Sequence, residues 1–302
     1  TASTARSARL IEIAADEGPA WGTLSALAAH PTDANLLYAV TDADSPPPRI
    51  VEIKVDGDGA RVQRQIMIAA ASVGSLDLEG LALAPGGGFW LASEGGKANA
   101  PPNLLLEVDA AGQLLRRIEL PAVVVTDMTR RGFEGVALVP DEGAGGTLYV
   151  AFQSGLRSDA DDLTRIGAVD IASGVWRFFG YPLEVLQSGE ASGLSDIAHL
   201  GDRRFALIER DGKGNKRALK WITVVDLSAE PGVATGASPR PVAKSLAADL
   251  VPVFLGHGRK VEPEIEGLAI AADGDVYAIT DNDGERATLL IRLGRAEHLF
   301  AR

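Results

Sequence analysis

The chain contains no cysteine. Disulfides and thiolate metal sites are therefore excluded. No run is long and apolar enough to read as a membrane span. The first residues, Thr1-Ala2-Ser3-Thr4-Ala5-Arg6, carry no apolar core of a signal peptide. The chain begins at Thr1 rather than Met, so removal of a leader or tag is expected. Positive charge is also in short supply. Twenty-nine Lys and Arg face 41 Asp and Glu, giving a net charge of −12. That balance argues against non-specific nucleic-acid binding and for cation binding or plain solubility. Several catalytic signatures are missing: there is no H-E-x-x-H, no G-x-S-x-G and no complete EF-hand loop. Asp281-Asn282-Asp283-Gly284 is only a fragment of the last pattern. The four histidines, His30, His199, His257 and His298, have no metal-ligand spacing. Helical periodicity is sparse as well, and Lys244–Leu250 is the best candidate for a short helix.

What the chain does have is repetition. Five times a small turn residue opens a short apolar run, and a second apolar run follows and ends in polar or charged residues. The openings are Ser25-Ala26, Glu79-Gly80, Glu134-Gly135, Ser192-Gly193 and Glu266-Gly267. The second runs end at Thr41-Asp42, Ser93-Glu94, Phe152-Gln153, Glu209-Arg210 and Thr280-Asp281. The spacing is near constant except for the longer fourth interval, where Ala229–Pro241 reads as a surface insertion. Short strands separated by Gly, Asp and Pro clusters, repeated at this period, predict an all-β propeller. Five blades are expected, with six as the alternative, in a single domain spanning residues 1–302. Arg9–Ile13 is expected beside Thr288–Leu293 as the outer strand of the last blade, removing an open sheet edge. Glu297–Phe300 competes for that place.

In an up-and-down blade the first strand starts where the second ends, so both motifs fall on one face near the axis. Glu79, Glu134, Glu209, Glu266 and Asp281 are thereby predicted as metal ligands, beside Asp42, Glu94, Gln153 and Asn282. Converging carboxylates repel one another and need a counter-charge, and Ca²⁺ prefers oxygen ligands of this kind. Each Glu-Gly pair also has a purely structural reading. The carboxylate accepts backbone N–H bonds, and the glycine serves close-packed backbone. Arg131, Arg210 and Arg259 are the candidate holders of an anion. Glu134, Glu266 and the loop residue His257 are the candidate acid–base groups.

These residues resemble the family called esterase-like activity of phytase. The similarity lies in Leu78-Glu79-Gly80-Leu81-Ala82, Arg131-Gly132-Phe133-Glu134-Gly135-Val136-Ala137, Ser192-Gly193-Leu194-Ser195-Asp196, Ile265-Glu266-Gly267-Leu268-Ala269 and Thr280-Asp281-Asn282-Asp283. The matches run through nearly the whole chain in family order. The resemblance implies a bacterial propeller, periplasmic or secreted, and its name implies phosphoester hydrolysis. Asp283 is followed by Gly284 where members often carry Asn-Asp-Phe, a departure at the substrate pocket. The expected function is a metal-assisted hydrolase of a phosphoester, working as a monomer on a small anionic substrate with no nucleic-acid partner. The alternatives are a non-catalytic, calcium-stabilised binding or scaffold propeller and a lactonase-like calcium-dependent hydrolase.

Overall fold

The structure is a computed structural model that describes residues 8–15, 18–69, 72–95, 102–141, 145–281 and 287–301. It is a ring of five antiparallel blades. The chain enters through β1 (Arg9–Ala14) and then builds the blades in order. Blade one is β2 (Leu24–Ala29), β3 (Leu36–Thr41), β4 (Arg49–Asp56) and β5 (Gly59–Met67). Blade two is β6 (Leu78–Leu83), β7 (Phe89–Ser93), β8 (Leu104–Val108) and β9 (Leu114–Glu119). A short helix, α1 (Ala122–Asp127), leads to blade three: β10 (Phe133–Val139), β11 (Thr147–Phe152), β12 (Leu163–Asp170) and β13 (Trp176–Pro182). Blade four holds β14 (Gly193–His199), β15 (Arg204–Arg210) and β16 (Lys220–Asp226). The long fourth interval supplies β17 (Val233–Ala234), which adds a fifth strand to blade three along β13, and β18 (Lys244–Asp249), which completes blade four. It contains no sixth blade. After α2 (Val251–Gly256), blade five is β19 (Ile265–Ile270), β20 (Asp275–Thr280) and β21 (Leu289–Arg295), and α3 (Ala296–Leu299) follows.

Two local expectations give way to tertiary context. Lys244–Leu250 is not helical: its first six residues pair with β16, and the helix begins only at Val251, with Pro252 in its first turn. The unmet ladder groups of β16 outweigh the helical preference of an Ala- and Leu-containing stretch. The Glu297–Phe300 segment turns into α3, so it does not compete as a strand. The closing strand is β1. It runs antiparallel to β21 from Arg9↔Arg292 to Glu12↔Leu289, and its last residues pair in parallel with β5 at Ile13↔Ala60. One strand thus fastens blade five and hooks blade one. Among the described residues, no helix is long and apolar enough to cross a membrane.

The core is divided into five apolar clusters, one between each pair of neighbouring blades. Every central strand is therefore buried on both faces, which is why its sequence reads as a continuous apolar run. In β3, Leu37 and Ala39 face blade five while Tyr38 and Val40 face blade two.

The innermost strands β2, β6, β10, β14 and β19 pack on one another around the axis, each touching the next. At three places this approach leaves no room for a side chain. A Cβ on Gly80 would lie 2.4 Å from the carbonyl oxygen of Glu134, one on Gly135 would lie 2.1 Å from Asp196 Oδ1, and one on Gly267 would lie 2.5 Å from the carbonyl carbon of Ala26. Each contact is with the following blade. Gly80→Ala is expected to cost about 3 kcal/mol of stability. Gly256→Ala, whose methyl would meet nothing within 4 Å, should leave stability nearly unchanged. Urea unfolding of both variants checks the contrast.

Candidate functional site

Each innermost strand slips register against its partner near its start, as a β-bulge does. In blades two, four and five the extra residue is Glu79, Ser195 or Glu266. Glu134 and Ser25 hold the corresponding places in blades three and one. A bulge re-aims the side chain it carries, and here it turns successive blades toward one point on the axis. The ends of the second strands arrive beside them, contributing Asp42, Glu94, Gln153, Arg210 and Asp281.

Together they enclose an axial cavity of about 200 Å³. Among the described residues, nine carboxylates line it, from Asp42, Asp44, Asp77, Glu79, Glu94, Glu134, Glu264, Glu266 and Asp281, against the single cation of Arg210. Carboxylate oxygens of Asp77, Glu79 and Glu94 lie within 4.8 Å of one another. Ser25 Oγ donates to Glu79 Oε2 at 2.9 Å, and the Gly132 N–H donates to Glu94 Oε1 at 2.8 Å. Arg210 Nη2 donates to Glu266 Oε1, and its Nη1 stands 3.8 Å from Glu264. Glu266 is 5% exposed, yet its Oε2 has no hydrogen-bond partner.

The electrostatics follow from crowding and burial. Burial first, then the charges of Asp77, Glu266 and Glu94, push the Glu79 carboxyl well above the ordinary value of 4.5. Glu134 is pushed well above it too, by burial and by Glu79 and Glu266, while Arg210 pulls the other way. Burial raises Glu266, and Arg210 again opposes it. A buried, all-oxygen donor set with an unsatisfied carboxylate oxygen is the chemistry of a hard-cation site.

The model of one family, esterase-like activity of phytase, matches residues 19–284. The chain belongs to this phytase-like family. No protein of curated function matches the sequence. Among solved structures, a protein from Parabacteroides distasonis provisionally assigned as a glycoside hydrolase is similar, with 10% identity and a TM-score of 0.51, over 91% of this chain and 88% of that one. The aldose sugar dehydrogenase of Escherichia coli is similar over 95% and 99% of the two chains, with 11% identity and a TM-score of 0.46. At such identities the first likeness is one of fold.

The phytase-like chain brings Glu79, Glu134, Glu266, Asp281 and Arg210 to the axial cavity. Arg131 lines a neighbouring cavity, while Asn282 lies outside the described residues. Three other expectations need correction. Glu209 does not reach the axis. It alternates with Arg210 along β15 and points between blades three and four. There it accepts from Tyr181 Oη at 2.7 Å, Ser192 Oγ at 2.6 Å, the Glu184 N–H at 2.7 Å and Lys244 Nζ at 2.7 Å. His257 caps α2, with Nδ1 2.9 Å from the carbonyl oxygen of Val253. Arg259 meets Glu12 on the outermost strand of blade five at 3.4 Å. The cause is α2 itself. Val251, Val253 and Phe254 are buried in the core between blades four and five, and the loop leaves outward from there.

Sequence reasoning missed Asp77 and Glu264. Each stands two residues before an axial glutamate, in Asp77-Leu78-Glu79 and Glu264-Ile265-Glu266, and the two-residue period of extended backbone was the available signal. It also missed two supports. Asp196 accepts the N–H groups of Leu268 at 2.6 Å and Ile197 at 2.8 Å, tying blade four to blade five. Lys220, buried beneath the rim, donates to the carbonyl of Asp211, to Asp211 Oδ1 at 3.0 Å and to the carbonyl of Pro263 at 2.6 Å. Burial pulls its ammonium down to about 8.

Two outcomes follow from this geometry. Glu79 and Glu134 hold protons more tightly folded than unfolded. The chelated protein therefore loses stability as pH rises from 4.5 through their elevated values, and regains it as pH falls back. Glu134→Gln removes part of that slope, so its melting temperature should exceed the parent's at about pH 8 and match it near about pH 5. Glu209→Gln should do the opposite of an axial substitution. It should cost about 3 kcal/mol in stability by breaking a buried charge cluster, with divalent-cation affinity unchanged in calorimetric titration.

Proposed function

We propose that this protein is a metal-assisted phosphoester hydrolase with Ca²⁺ as its cation. The observation that carries the reading is a polarity between two adjoining cavities. The acidic axial cavity shares Gln153, Arg210 and Glu264 with a cavity of about 430 Å³ that Arg131 and Lys213 also line. Among the described residues, no carboxylate pairs with the side chain of Arg131 or Lys213. Glu190 and Asp211 line the second cavity too, but Asp211 is held by Lys220, which leaves Arg131 and Lys213 as the groups that favour an anion beside the acidic axis.

Asp77, Glu79 and Glu94 are the residues that would hold the cation, with Asp281 alongside. A bound divalent cation supplies Lewis-acid polarisation of a phosphoryl oxygen. Arg131 and Arg210 orient the phosphate from the other side. Water attacks phosphorus, and the P–O bond to the organic group breaks. Glu266, held against Arg210, takes the proton from the water. Glu134 returns a proton to the leaving oxygen. His257 and Arg259 have no part in this scheme, because they lie at the outer rim. A setting outside the cytoplasm suits weak calcium sites of the kind found in extracellular modules.

One observation favours a second reading, a structural calcium in a binding propeller. Glu79 and Glu94 already link blades through Ser25 and Gly132, and a cation there would staple the same strands. A screen of phosphoesters and lactones, run with and without chelator, separates the readings. The expected result is phosphoester turnover that chelation abolishes and Ca²⁺ restores. Glu79→Gln should weaken cation binding about tenfold or more, and Arg131→Ala should raise KM with little change in kcat. Phosphoester turnover that survives both chelation and Glu79→Gln rules the mechanism out. Bound Ca²⁺ without turnover favours the structural reading, and turnover of lactones alone favours a lactonase.

A further inference from the structure

The cavity beside the axis continues outward over blade four. It shares Leu186, Asp211 and Lys213 with a further cavity of about 540 Å³. Two loops form the walls, residues 183–192 between β13 and β14 and residues 211–219 between β15 and β16. Both are pinned internally. The Leu186 N–H donates to the Glu190 carbonyl at 2.7 Å, and Val185 bridges Ala191. The second loop is closed by the Asp211 N–H on Leu219 at 3.1 Å, and Lys220 anchors its base to Pro263. A groove built on such loops is formed before a ligand arrives, which lowers the ordering cost of binding.

Its character changes along its length. The axial end is acidic, and the middle sets Arg131, Arg210 and Lys213 beside Glu190, Asp211 and Glu264. The distal end presents the half-buried Trp221, with Leu186, Leu219 and Val185, the last 60% exposed. The charged groups there are Glu184, Asp211 and Asp249 against Lys213 and Arg217. Asp211 is paired with Lys220 and Glu184 with Lys244, so the charges of the distal end largely balance. Trp221 and its aliphatic neighbours give this otherwise polar end a place for a flat apolar group.

We infer that the distal cavity is a subsite for the organic part of the ester. The substrate class is a phosphoester of an aromatic or similarly flat apolar alcohol. The inference rests on the phosphoester reading for its anchor and on Trp221 for its selectivity. Two non-hydrolysable probes test it, benzylphosphonate and methylphosphonate, titrated into the Ca²⁺-loaded protein. The ring should tighten binding about tenfold, the scale of one partly buried phenyl group. Trp221→Ala should bring the two affinities together without weakening methylphosphonate. Leu186→Ala, a loop change that leaves the blades untouched, should narrow the gap in the same direction. Equal affinities in the parent protein overturn the proposal. A third probe, 2-naphthol, carries no phosphorus. If neither phosphonate binds but 2-naphthol quenches tryptophan fluorescence in the parent and not in Trp221→Phe, the subsite stands and the phosphoester reading falls. If 2-naphthol fails as well, both fall.

Discussion

Five strands meet around the axis at distances too short for a Cβ at Gly80, Gly135 or Gly267. The rest of the molecule is arranged around that contact. The inner strands must bulge where they crowd together, and a bulge turns one side chain per blade inward. At Glu79, Glu134 and Glu266 that side chain is a carboxylate. The packing that closes the ring therefore also concentrates negative charge, and the charge raises the proton affinity of the buried members. A fold stabilised by close backbone approach thus carries an electrostatic cost at its centre, which a divalent cation would offset.

Much of this was legible in the residues. The repeat, the strand-turn grammar inside it and the closure by Arg9–Ile13 all follow from apolar runs broken by turn residues, because each blade buries both faces. The three Glu-Gly pairs were legible for the same reason. Their glycines answer a steric demand, and the neighbouring acids sit at a fixed offset from it. The fourth repeat was not. Its Ser192-Gly193 looks like the other openings, but Leu194-Ser195-Asp196 pairs as Leu78-Glu79-Gly80 does. The structural place of a glycine is taken there by Asp196, a residue no glycine pattern would find. Glu209 occupies the place of Ser93 and Thr280, one residue before the axial position that Arg210 takes, and the alternation of β15 sends it to the opposite face. His257 and Arg259 were beyond reach for another reason. Their position depends on where α2 finds its apolar partners, and that is set by the core between the two flanking blades rather than by the loop residues themselves.

Glu209 and Arg210 show how adjacent residues divide between stability and chemistry. Glu209 accepts four hydrogen bonds that fasten blade three to blade four. Arg210, facing the other way, is the one cation among the described residues that line the axial cavity. The anchored neighbour fixes the backbone from which the functional side chain projects. Lys220 serves the same strand pair from below, by holding Asp211 and the loop that carries Glu264. Arg210 and Glu264 are thus each backed by a buried charge that does not line the cavity.

The departure of blade four from the pattern is also what gives the ring a direction. Where blades two, three and five offer Glu79, Glu134 and Glu266, blade four offers Ser195, whose hydroxyl is spent on the carbonyl of Ile265 at 2.6 Å. Where blades one, two and five end their second strands in Asp42, Glu94 and Asp281, blade four ends in Arg210. A five-fold scaffold would otherwise place equal charge all round the axis and attract only a cation. Exchanging acid for base in one blade creates a gradient across the cavity, with the Asp77–Glu79–Glu94 cluster on one side and Arg210 on the other. The adjoining cavity opens beside Arg210, where Arg131 and Lys213 also stand. In the proposed reading, a ligand with a negative head approaches the cation over blade four, with its organic end along the groove toward Trp221. The repeat supplies the frame, and blade four, which sets a base where other blades set an acid, breaks the symmetry of charge around the axis.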